Sequence, residues 1–288
     1  MCGVSNAQII DNSGCSAFTD LPFFDSLFIR KNKIVSIEGH VSTKADLKVI
    51  KKDNRMIKYE FDSLGRLTRQ FGSFNTSGIK DTTFHSYFYD EDENLVLKRT
   101  SDSHGFYSYR YTHNAQGDVL SKTYCREENS GPNRYSFELG KEFTIVKETY
   151  SYSKNDSVVT KDVFNNHNRK YQVVKEFYNE FGLLSKVESK YLISKKVSRV
   201  DYKYGDLGLV ISKITTKDVR KPELKDEIRY KYDEMGNLTY IDVFKKGVHE
   251  THQEILYDLS TYSLKALLVQ NVADNFITII KFSTSYKS

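Results

Sequence analysis

The clearest pattern along the chain is an alternation of aromatic and charged residues that ends in a short polar turn. Across residues 229–232, Tyr230 and Tyr232 occupy alternate positions and basic residues fill the others. Successive side chains of a strand point to opposite faces, so this pattern predicts a half-buried antiparallel strand with one tyrosine face and one cationic face. Asp233 then accepts backbone N–H groups of a turn, and Gly236 supplies the positive φ that a short hairpin loop requires.

This pattern, which spans the nine residues 230–238, recurs along most of the chain, although individual copies lack some of its residues. Its copies begin at Tyr59, Tyr87, Tyr109, Tyr150, Glu176, Tyr202, Tyr230 and Glu254. A spacing of about 26 residues is the length of one hairpin with its turns, and such units bury their faces against their neighbours. We therefore expect an all-β fold, an array of about eight antiparallel β-hairpins that forms a long curved meander sheet or a partial shell or half-barrel.

The turns of this array are predicted from their glycines and aspartates. The residues assigned to turns are Gly65, Gly117, Gly182, Gly208, Gly236, Asp62, Asp90 and Asp233. The copy that begins at Tyr87 has no glycine, so Asn94 is expected to adopt the left-handed conformation there.

The first residues and one central stretch depart from the repeat. Residues 1–30 are predicted to be a leader remnant and an end cap, ahead of a single repeat domain over 31–288 with an irregular insertion at 121–149. Residues 1–8 are similar to the end of a bacterial secretory signal. Three interpretations stay open: upstream residues exist, Cys2 is the first mature residue of a lipoprotein, or the chain has an ordinary cytosolic start.

Composition and charge narrow the classes of partner. The chain has 21 Tyr and 18 Phe among 288 residues, and this excess of aromatic residues favours strands. The net charge is +5, with basic pairs scattered along the sequence. Tyrosines and lysines alternate and so are expected to face apart, whereas a nucleic-acid surface needs them together. We therefore expect no nucleic-acid partner.

The sequence contains no recognised catalytic or metal-binding motif. The sequence has no nucleophile elbow, phosphate loop or dinucleotide-binding glycines. His249 and His252 are three apart, which places them on opposite faces of a strand, so we expect exposed hairpin histidines. The acidic run 90–93 lacks the spacing of a calcium loop. Cys15 and Cys125 either form a disulfide, in an oxidising compartment, or stay as free, partly buried thiols. No catalytic residue, metal or cofactor is expected.

The repeat resembles the tyrosine-aspartate (YD) repeat of Rhs-type and teneurin-type β-shells. The resemblance is carried by residues 59–67 and 230–238 and extends, through degenerate copies, over roughly residues 55–260. In large members of that family the repeats spiral into a closed shell around a cargo. About eight copies are too few for such a shell, so the resemblance implies a fold type and a surface or secreted setting, and no activity.

These observations predict a non-enzymatic protein of the bacterial periplasm, outer membrane or exterior, which binds a glycan, lipid or protein partner or serves as a structural module. Membrane attachment is expected only through a lipidated N-terminus. The predicted ligand-binding residues are Tyr87, Tyr89, Tyr109, Tyr111, Tyr202, Tyr204, Tyr230 and Tyr232. The same tyrosines would alternatively form the core. Two further hypotheses are a short relative of an Rhs-like shell that accompanies a toxin, and an enzyme with acidic residues on loops near 125–133.

Overall fold

The structure is a computed structural model that describes residues 8–76 and 79–287. Within these residues the chain forms one short helix, α1 (Ser26–Lys31), and eighteen strands. The strands are β1 (Ile34–Lys44), β2 (Lys51–Phe61), β3 (Leu67–Thr76), β4 (Ile79–Tyr89), β5 (Leu95–Asp102), β6 (Gly105–His113), β7 (Val119–Asn129), β8 (Leu139–Asn155), β9 (Val158–Phe164), β10 (Lys170–Tyr178), β11 (Leu184–Tyr191), β12 (Val197–Tyr204), β13 (Val210–Thr216), β14 (Lys225–Tyr232), β15 (Leu238–Lys245), β16 (Val248–Tyr257), β17 (Leu264–Asn271) and β18 (Phe276–Tyr286). No helix of the described chain is long and apolar enough to cross a membrane.

The hydrogen-bonded ladder of strands returns to its starting point. Strands that are consecutive in the chain pair with each other, and β1 pairs with both β2 and β18. The fold is therefore a closed eighteen-stranded antiparallel barrel, and the predicted open meander or half-barrel of about eight hairpins is wrong. The first and last strands of an open sheet would expose unpaired N–H and C=O groups, and closure satisfies them.

Close contact between β1 and β18 depends on one small residue. A Cβ atom at Gly39 would lie 2.6 Å from the side chain of Ile280 and 2.8 Å from the ring of Phe282. The register pairs Gly39 with Phe282 and Val41 with Ile280. Glycine at this position lets the two bulky side chains of β18 lie across the β1 backbone.

The hairpin turns share one hydrogen-bond arrangement. Asp233 Oδ1 accepts the N–H groups of Met235 at 3.0 Å and Asn237 at 2.8 Å, and the N–H of Asp233 donates to the carbonyl of Asn237 at 3.0 Å. The same arrangement occurs at Asp62, Asn114, Asn165 and Asn179. A short side-chain acceptor thus fixes each turn locally. Four of these turns have a glycine with positive φ: Gly65 (83°), Gly117 (82°), Gly182 (73°) and Gly236 (84°). Gly208 also has a positive φ, of 70°, in a turn where Gly205 takes the place of the side-chain acceptor.

Two turns differ from the sequence-based expectation. In the turn that begins at Asp90, the residue with positive φ is Glu93, at 64°, rather than Asn94, whose N–H donates to Asp90 Oδ1. The turn over residues 165–169 was not recognised in the sequence because it has no glycine, and Asn168 takes the left-handed conformation with φ 54°.

The chain divides into two compact units, which are described separately. Among the described residues, unit 1 contains 8–73, 201–216 and 222–287, and unit 2 contains 74–76, 79–200 and 217–221. In unit 1 the face of the sheet that carries Tyr59, Tyr230 and Tyr232 is covered by residues 8–31. In unit 2 residues 130–138 lie on the face opposite to the one that carries Tyr109 and Tyr124.

The covering segment of unit 1 is held by aromatic packing and by long-range hydrogen bonds. Phe23 and Phe24 pack edge-on against the ring of Tyr59, with centroid distances of 5.6 and 4.9 Å. The side chain of Asn12 donates to Tyr232 Oη at 3.0 Å. Asp25 caps α1 by accepting the N–H of Phe28. Residues 8–31 therefore cover a face of the sheet, whereas the sequence predicted that residues 1–30 would cap an edge.

Candidate functional site

The eight tyrosines predicted to bind a ligand lie in both units. In unit 1, Tyr230 is 4% exposed beneath residues 8–31, and Tyr232 is half-buried there. Tyr202 and Tyr204 are half-buried. In unit 2, Tyr87 is 2% exposed, whereas Tyr89, Tyr109 and Tyr111 are half-buried. Their role in binding stays a prediction, although the burial of Tyr230 and Tyr87 makes these two rings part of the packing.

Unit 2 has an open cleft on its tyrosine face, lined by residues of β8, β9 and β10 and of the turns beside them. Its volume is about 640 Å³, within the range of about 300–1,000 Å³ that is usual for small-molecule sites. Tyr152 and Tyr178 contribute aromatic rings, Asp118 and Glu176 contribute carboxylates, and Lys154 contributes an ammonium group. We call this surface the Tyr152 cleft. Among its lining residues, the sequence singled out Glu176 only as the start of a repeat copy and Gly182 only as a turn residue, so it did not reveal the cleft.

The two tyrosines of the cleft are held by hydrogen bonds. Tyr178 Oη donates to Glu176 Oε2 at 3.0 Å, and Tyr152 Oη donates to the carbonyl of Val119 at 2.7 Å. Burial, reinforced by the charges of Asp118 and Glu176, raises the pKa of Tyr152 to about 12. Both rings therefore have fixed orientations, and the Tyr152 hydroxyl keeps its proton at neutral pH.

A second, smaller hollow lies on the same face of unit 2. It has a volume of about 190 Å³ and is lined by Tyr109, Lys122, Tyr124, Val146 and Glu148. The rings of Tyr109 and Tyr124 are 5.1 Å apart, and Lys122 Nζ lies 4.5 Å from the centroid of Tyr109. Because Glu148 and Tyr152 are four residues apart on β8, they point to the same face. The hollow and the cleft thus belong to one tyrosine-rich surface.

One carboxylate connects the tyrosines of this surface. Glu148 Oε2 accepts a hydrogen bond from Tyr150 Oη at 2.7 Å, and Glu148 Oε1 accepts one from Tyr171 Oη. Burial and the negative charge of Glu148 raise the pKa of both tyrosines above its ordinary value. The two tyrosine hydroxyls therefore keep their protons and donate to the Glu148 carboxyl group between them.

Lysines share the tyrosine face of unit 2, so the expectation that the two residue types face apart is wrong here. Lys122 lies over Tyr109, and Lys161 Nζ lies 5.3 Å from the centroid of Tyr150. Each lysine comes from a strand next to that of the tyrosine it covers. Alternation within one strand does not determine which residues the neighbouring strand presents on the same face.

The opposite face of unit 2 buries an acidic residue from the region where an enzymatic site was considered. Glu127 accepts hydrogen bonds from Arg99 at 2.5 Å, Ser108 at 2.7 Å and Arg110 at 3.0 Å. Burial opposes its ionisation, but the hydrogen bonds from Arg99 and Ser108 and the two positive charges hold its pKa below the usual value. The ring of Phe137 covers Arg99 at 3.9 Å. Glu127 is therefore an ion-paired residue of the packing and is not a proton donor at neutral pH.

In unit 1, His249 and His252 point to the same side, so the expectation that they face opposite ways is wrong. The pairing of β15 with β16 shifts between Val243 and Phe244, and this bulge reverses the alternation between the two histidines. His252 Nδ1 lies 2.6 Å and His249 Nε2 lies 3.1 Å from Asp242 Oδ1. These three residues are the ones in the described chain whose ligand atoms come close enough together to hold a metal ion.

The two described cysteines have free thiols, and the disulfide considered for them is not formed. Cys15 lies on the covering segment of unit 1 beside Tyr230, and burial raises the pKa of its thiol. Cys125 is buried in unit 2 with its Sγ 3.9 Å from Thr144 Oγ1, and burial raises its pKa as well. Cys2 lies outside the described residues, as does most of the leader predicted over residues 1–8.

Comparison with known proteins finds similarity at the level of solved structures alone. No protein-family model and no curated protein matches the chain. A porin-like protein from Bacteroides uniformis is 14% identical, with a TM-score of 0.41 over 88% of this chain and 97% of that one. A porin-like protein from Bacteroides vulgatus is 11% identical, with a TM-score of 0.29 over 86% and 97%. A LolA-superfamily protein from Nitrosomonas europaea is 8% identical, with a TM-score of 0.19 over 91% of each chain.

The resemblance to YD repeats is wrong. No model of such a family matches the sequence, and the sheet closes through β1 and β18 instead of continuing as an array of hairpins. The low identities and TM-scores of the similar structures give no functional assignment for this chain.

Proposed function

We propose that this protein is a non-enzymatic binding protein whose ligand is a glycan, held on the tyrosine face of unit 2 at the Tyr152 cleft. The observation that carries the proposal is the combination of half-buried tyrosine rings with carboxylate side chains and a lysine in an open cleft of about 640 Å³.

Each group of the cleft suits one part of a sugar. The apolar faces of Tyr152 and Tyr178 offer flat surfaces for the C–H groups of a pyranose ring. The carboxylate oxygens of Glu176 and Asp118 offer acceptors for sugar hydroxyls, and Lys154 offers a donor. Because Glu176 also accepts from Tyr178, the acceptor is already oriented before a ligand arrives.

The charges of the cleft favour a glycan over a lipid. Its lining includes Asp118, Lys154, Asp156, Glu176 and Glu180, which are all ionisable. An acyl chain laid against these groups would remove them from water without replacing their hydrogen bonds, at a cost of several kcal/mol per buried charge. Sugar hydroxyls replace those hydrogen bonds directly.

The extracytoplasmic location predicted from residues 1–8 is compatible with glycan binding and remains part of the proposal. It is tested by fractionation of the native host cell with an antibody against the protein. Recovery in the cytoplasmic fraction would contradict the location and leave the binding proposal to its own test.

The binding proposal is tested on a glycan microarray that covers neutral, acidic and N-acetylated oligosaccharides, followed by calorimetric titration of each glycan that binds. We expect Tyr152→Ala and Tyr178→Ala to weaken binding at least about tenfold, which corresponds to about 1.4 kcal/mol. Phe177→Ala is the matched control, because Phe177 lies on β10 beside Tyr178 and points to the opposite face, where Lys186 covers its ring at 3.9 Å. Absence of any bound glycan, or equal losses in all three variants, would overturn the proposal.

A further inference from the structure

The Asp242, His249 and His252 cluster lies on the face of unit 1 opposite to the covered tyrosines. Tyr230 pairs with Ile241, which is 5% exposed, so both side chains point to the covered face of unit 1. Asp242, the next residue on β15, therefore points to the opposite face. His252 pairs directly with Asp242 on the neighbouring strand. All three residues of the cluster are half-buried.

A β-bulge brings the second histidine to this face. Val243 pairs with Thr251 and Phe244 pairs with His249, so Glu250 is the extra residue on β16. Without the bulge, His249 and His252 would point to opposite faces of the strand. Bulges often re-aim a side chain beside a functional site, and here the result is two imidazoles directed at one carboxylate.

Aromatic packing fixes the orientation of both imidazoles. The ring of Phe244 stacks on His249 at 4.5 Å with an interplanar angle of 19°. The ring of Tyr240 stacks on His252 at 5.4 Å with an angle of 25°. Neither imidazole needs a large rotation to keep its nitrogen directed towards Asp242, so the entropic cost of ordering ligands around an ion is low.

One nitrogen of the cluster has no hydrogen bond. His249 Nε2 is buried as an atom and, among the described residues, has no hydrogen-bond partner, although Asp242 Oδ1 is only 3.1 Å away. His249 Nε2 and Asp242 Oδ1 are therefore close together but are not aligned for a hydrogen bond. A buried nitrogen in this state is costly unless another species satisfies its lone pair.

We propose that Asp242 Oδ1, His249 Nε2 and His252 Nδ1 form a binding site for a divalent transition-metal ion of the zinc class. Two imidazoles and one carboxylate suit such ions, whereas calcium and magnesium prefer oxygen ligands. In a tetrahedral zinc site the ligand atoms are about 3.3 Å apart, as follows from metal–ligand bonds of about 2.0 Å. The present distances of 2.6 and 3.1 Å from Asp242 Oδ1 to the two imidazole nitrogens need only a small expansion, and all three ligand atoms lie within 4.8 Å of one another.

The test is titration of the metal-free, full-length protein with zinc chloride by calorimetry and with cobalt chloride by visible absorption. We expect one ion per chain at this site, with a tetrahedral cobalt spectrum. His249→Ala and His252→Ala each weaken binding roughly a hundredfold. Asp242→Asn is the third variant, and it should also weaken binding, because it keeps the shape of the side chain while removing its charge.

His40→Ala provides the matched control. His40, on β1, also lies beside a carboxylate, with its Nε2 3.4 Å from Glu38 Oε1. This ion pair contains a single histidine, so it lacks the second imidazole of the proposed site. Its replacement should leave zinc affinity unchanged. X-ray absorption of the zinc complex should show two imidazoles and no sulfur, which excludes the cysteine thiols. Sulfur ligation, loss of affinity in His40→Ala, or unchanged affinity in the cluster variants would overturn the proposal. So would failure of the wild-type chain to bind either metal.

Discussion

The hydroxyl of Tyr257 donates a hydrogen bond to the backbone carbonyl of Leu238 at 2.6 Å. Tyr232 makes the same bond to Val210 at 2.9 Å, and Tyr152 makes it to Val119 at 2.7 Å. In each case the donor stands near the end of one strand and the acceptor is at the beginning of an earlier strand. These tyrosines therefore tie successive hairpins together through the backbone, in addition to the packing of their rings.

Removal of this hydroxyl should destabilise unit 1. In Tyr257→Phe the ring packing remains and the carbonyl of Leu238 loses a donor, so we expect a loss of about 1–2 kcal/mol in the free energy of unfolding. Urea denaturation measures it. Tyr286→Phe is the control, because Tyr286 is 49% exposed, and should change stability by less than about 0.5 kcal/mol. Equal values for the two variants would show that the hydrogen bond contributes nothing.

A comparison of two turn glycines separates backbone strain from steric contact. Gly65 and Gly208 both have positive φ, at 83° and 70°. A Cβ at Gly65 would collide with the carbonyl oxygen of Ser26 and lie 2.8 Å from the nitrogen of Arg30, whereas at Gly208 nothing lies within 4 Å. We expect Gly208→Ala to cost about 1 kcal/mol and Gly65→Ala to cost about 3 kcal/mol or more. Thermal and urea unfolding of both variants check this, and similar losses would contradict the contact with α1.

The buried ion pairs of unit 2 predict both a stability loss and a pH dependence. Glu127→Gln leaves Arg99 and Arg110 without their shared charge partner, and we expect a loss of about 3 kcal/mol. Glu142→Gln is the control, because Glu142 is partly exposed and Arg110 keeps its contact with Glu127, so the loss should stay below about 1 kcal/mol.

The pKa of Glu127 lies below its unfolded value, so its contribution is present above about pH 4.3 and is lost as the pH falls through the lower folded pKa. Wild-type stability, measured by urea denaturation across this acidic range, should therefore approach that of Glu127→Gln. A constant difference between the two proteins would contradict the ionised state of Glu127.

Buried tyrosines should make the protein sensitive to alkali. Burial raises the pKa of Tyr107, Tyr152 and Tyr232 to about 12. The unfolded value is about 10, so between about pH 10 and 12 the unfolded chain loses protons that the folded chain retains, and stability falls as the pH rises. Phenolate absorbance in the folded protein should show a group of tyrosines that ionises late. Simultaneous ionisation of all tyrosines near the ordinary pKa, with the protein still folded, would contradict their burial.

The local structure of the hairpins was predictable because its causes are local. The alternation across residues 229–232 specifies which side chains share a face, and Tyr230 and Tyr232 both contact residues 8–31. Asp233 and Gly236 form the turn through a side-chain acceptor and a positive φ. The same local chemistry explains why the family resemblance was wrong: an Asx turn with a glycine stabilises a hairpin through local contacts and is not specific to one family.

Closure of the sheet was not predictable from the same pattern. The bonds between β1 and β18 join backbone groups, which every residue type possesses, so the pairing leaves no mark in the sequence beyond Gly39. The only sequence signal of the covering segment, residues 8–31, is the aromatic run around Phe23. The bulge at Glu250 has no sequence signature either, and it alone decides that His249 and His252 share a face.

The closed ladder also sets the order in which the protein can fold. The contact of Asn12 with Tyr232 spans 220 positions and that of Glu38 with Ser283 spans 245. During synthesis, β1 and the phenylalanines around residue 23 emerge long before the strands that shelter them. A nascent chain therefore exposes the unpaired edge of β1 and these apolar side chains until β18 has been synthesised. Such non-local pairing makes folding slow and favours misassociation. Successful folding in the cell then depends on how well that early surface is shielded while translation is completed.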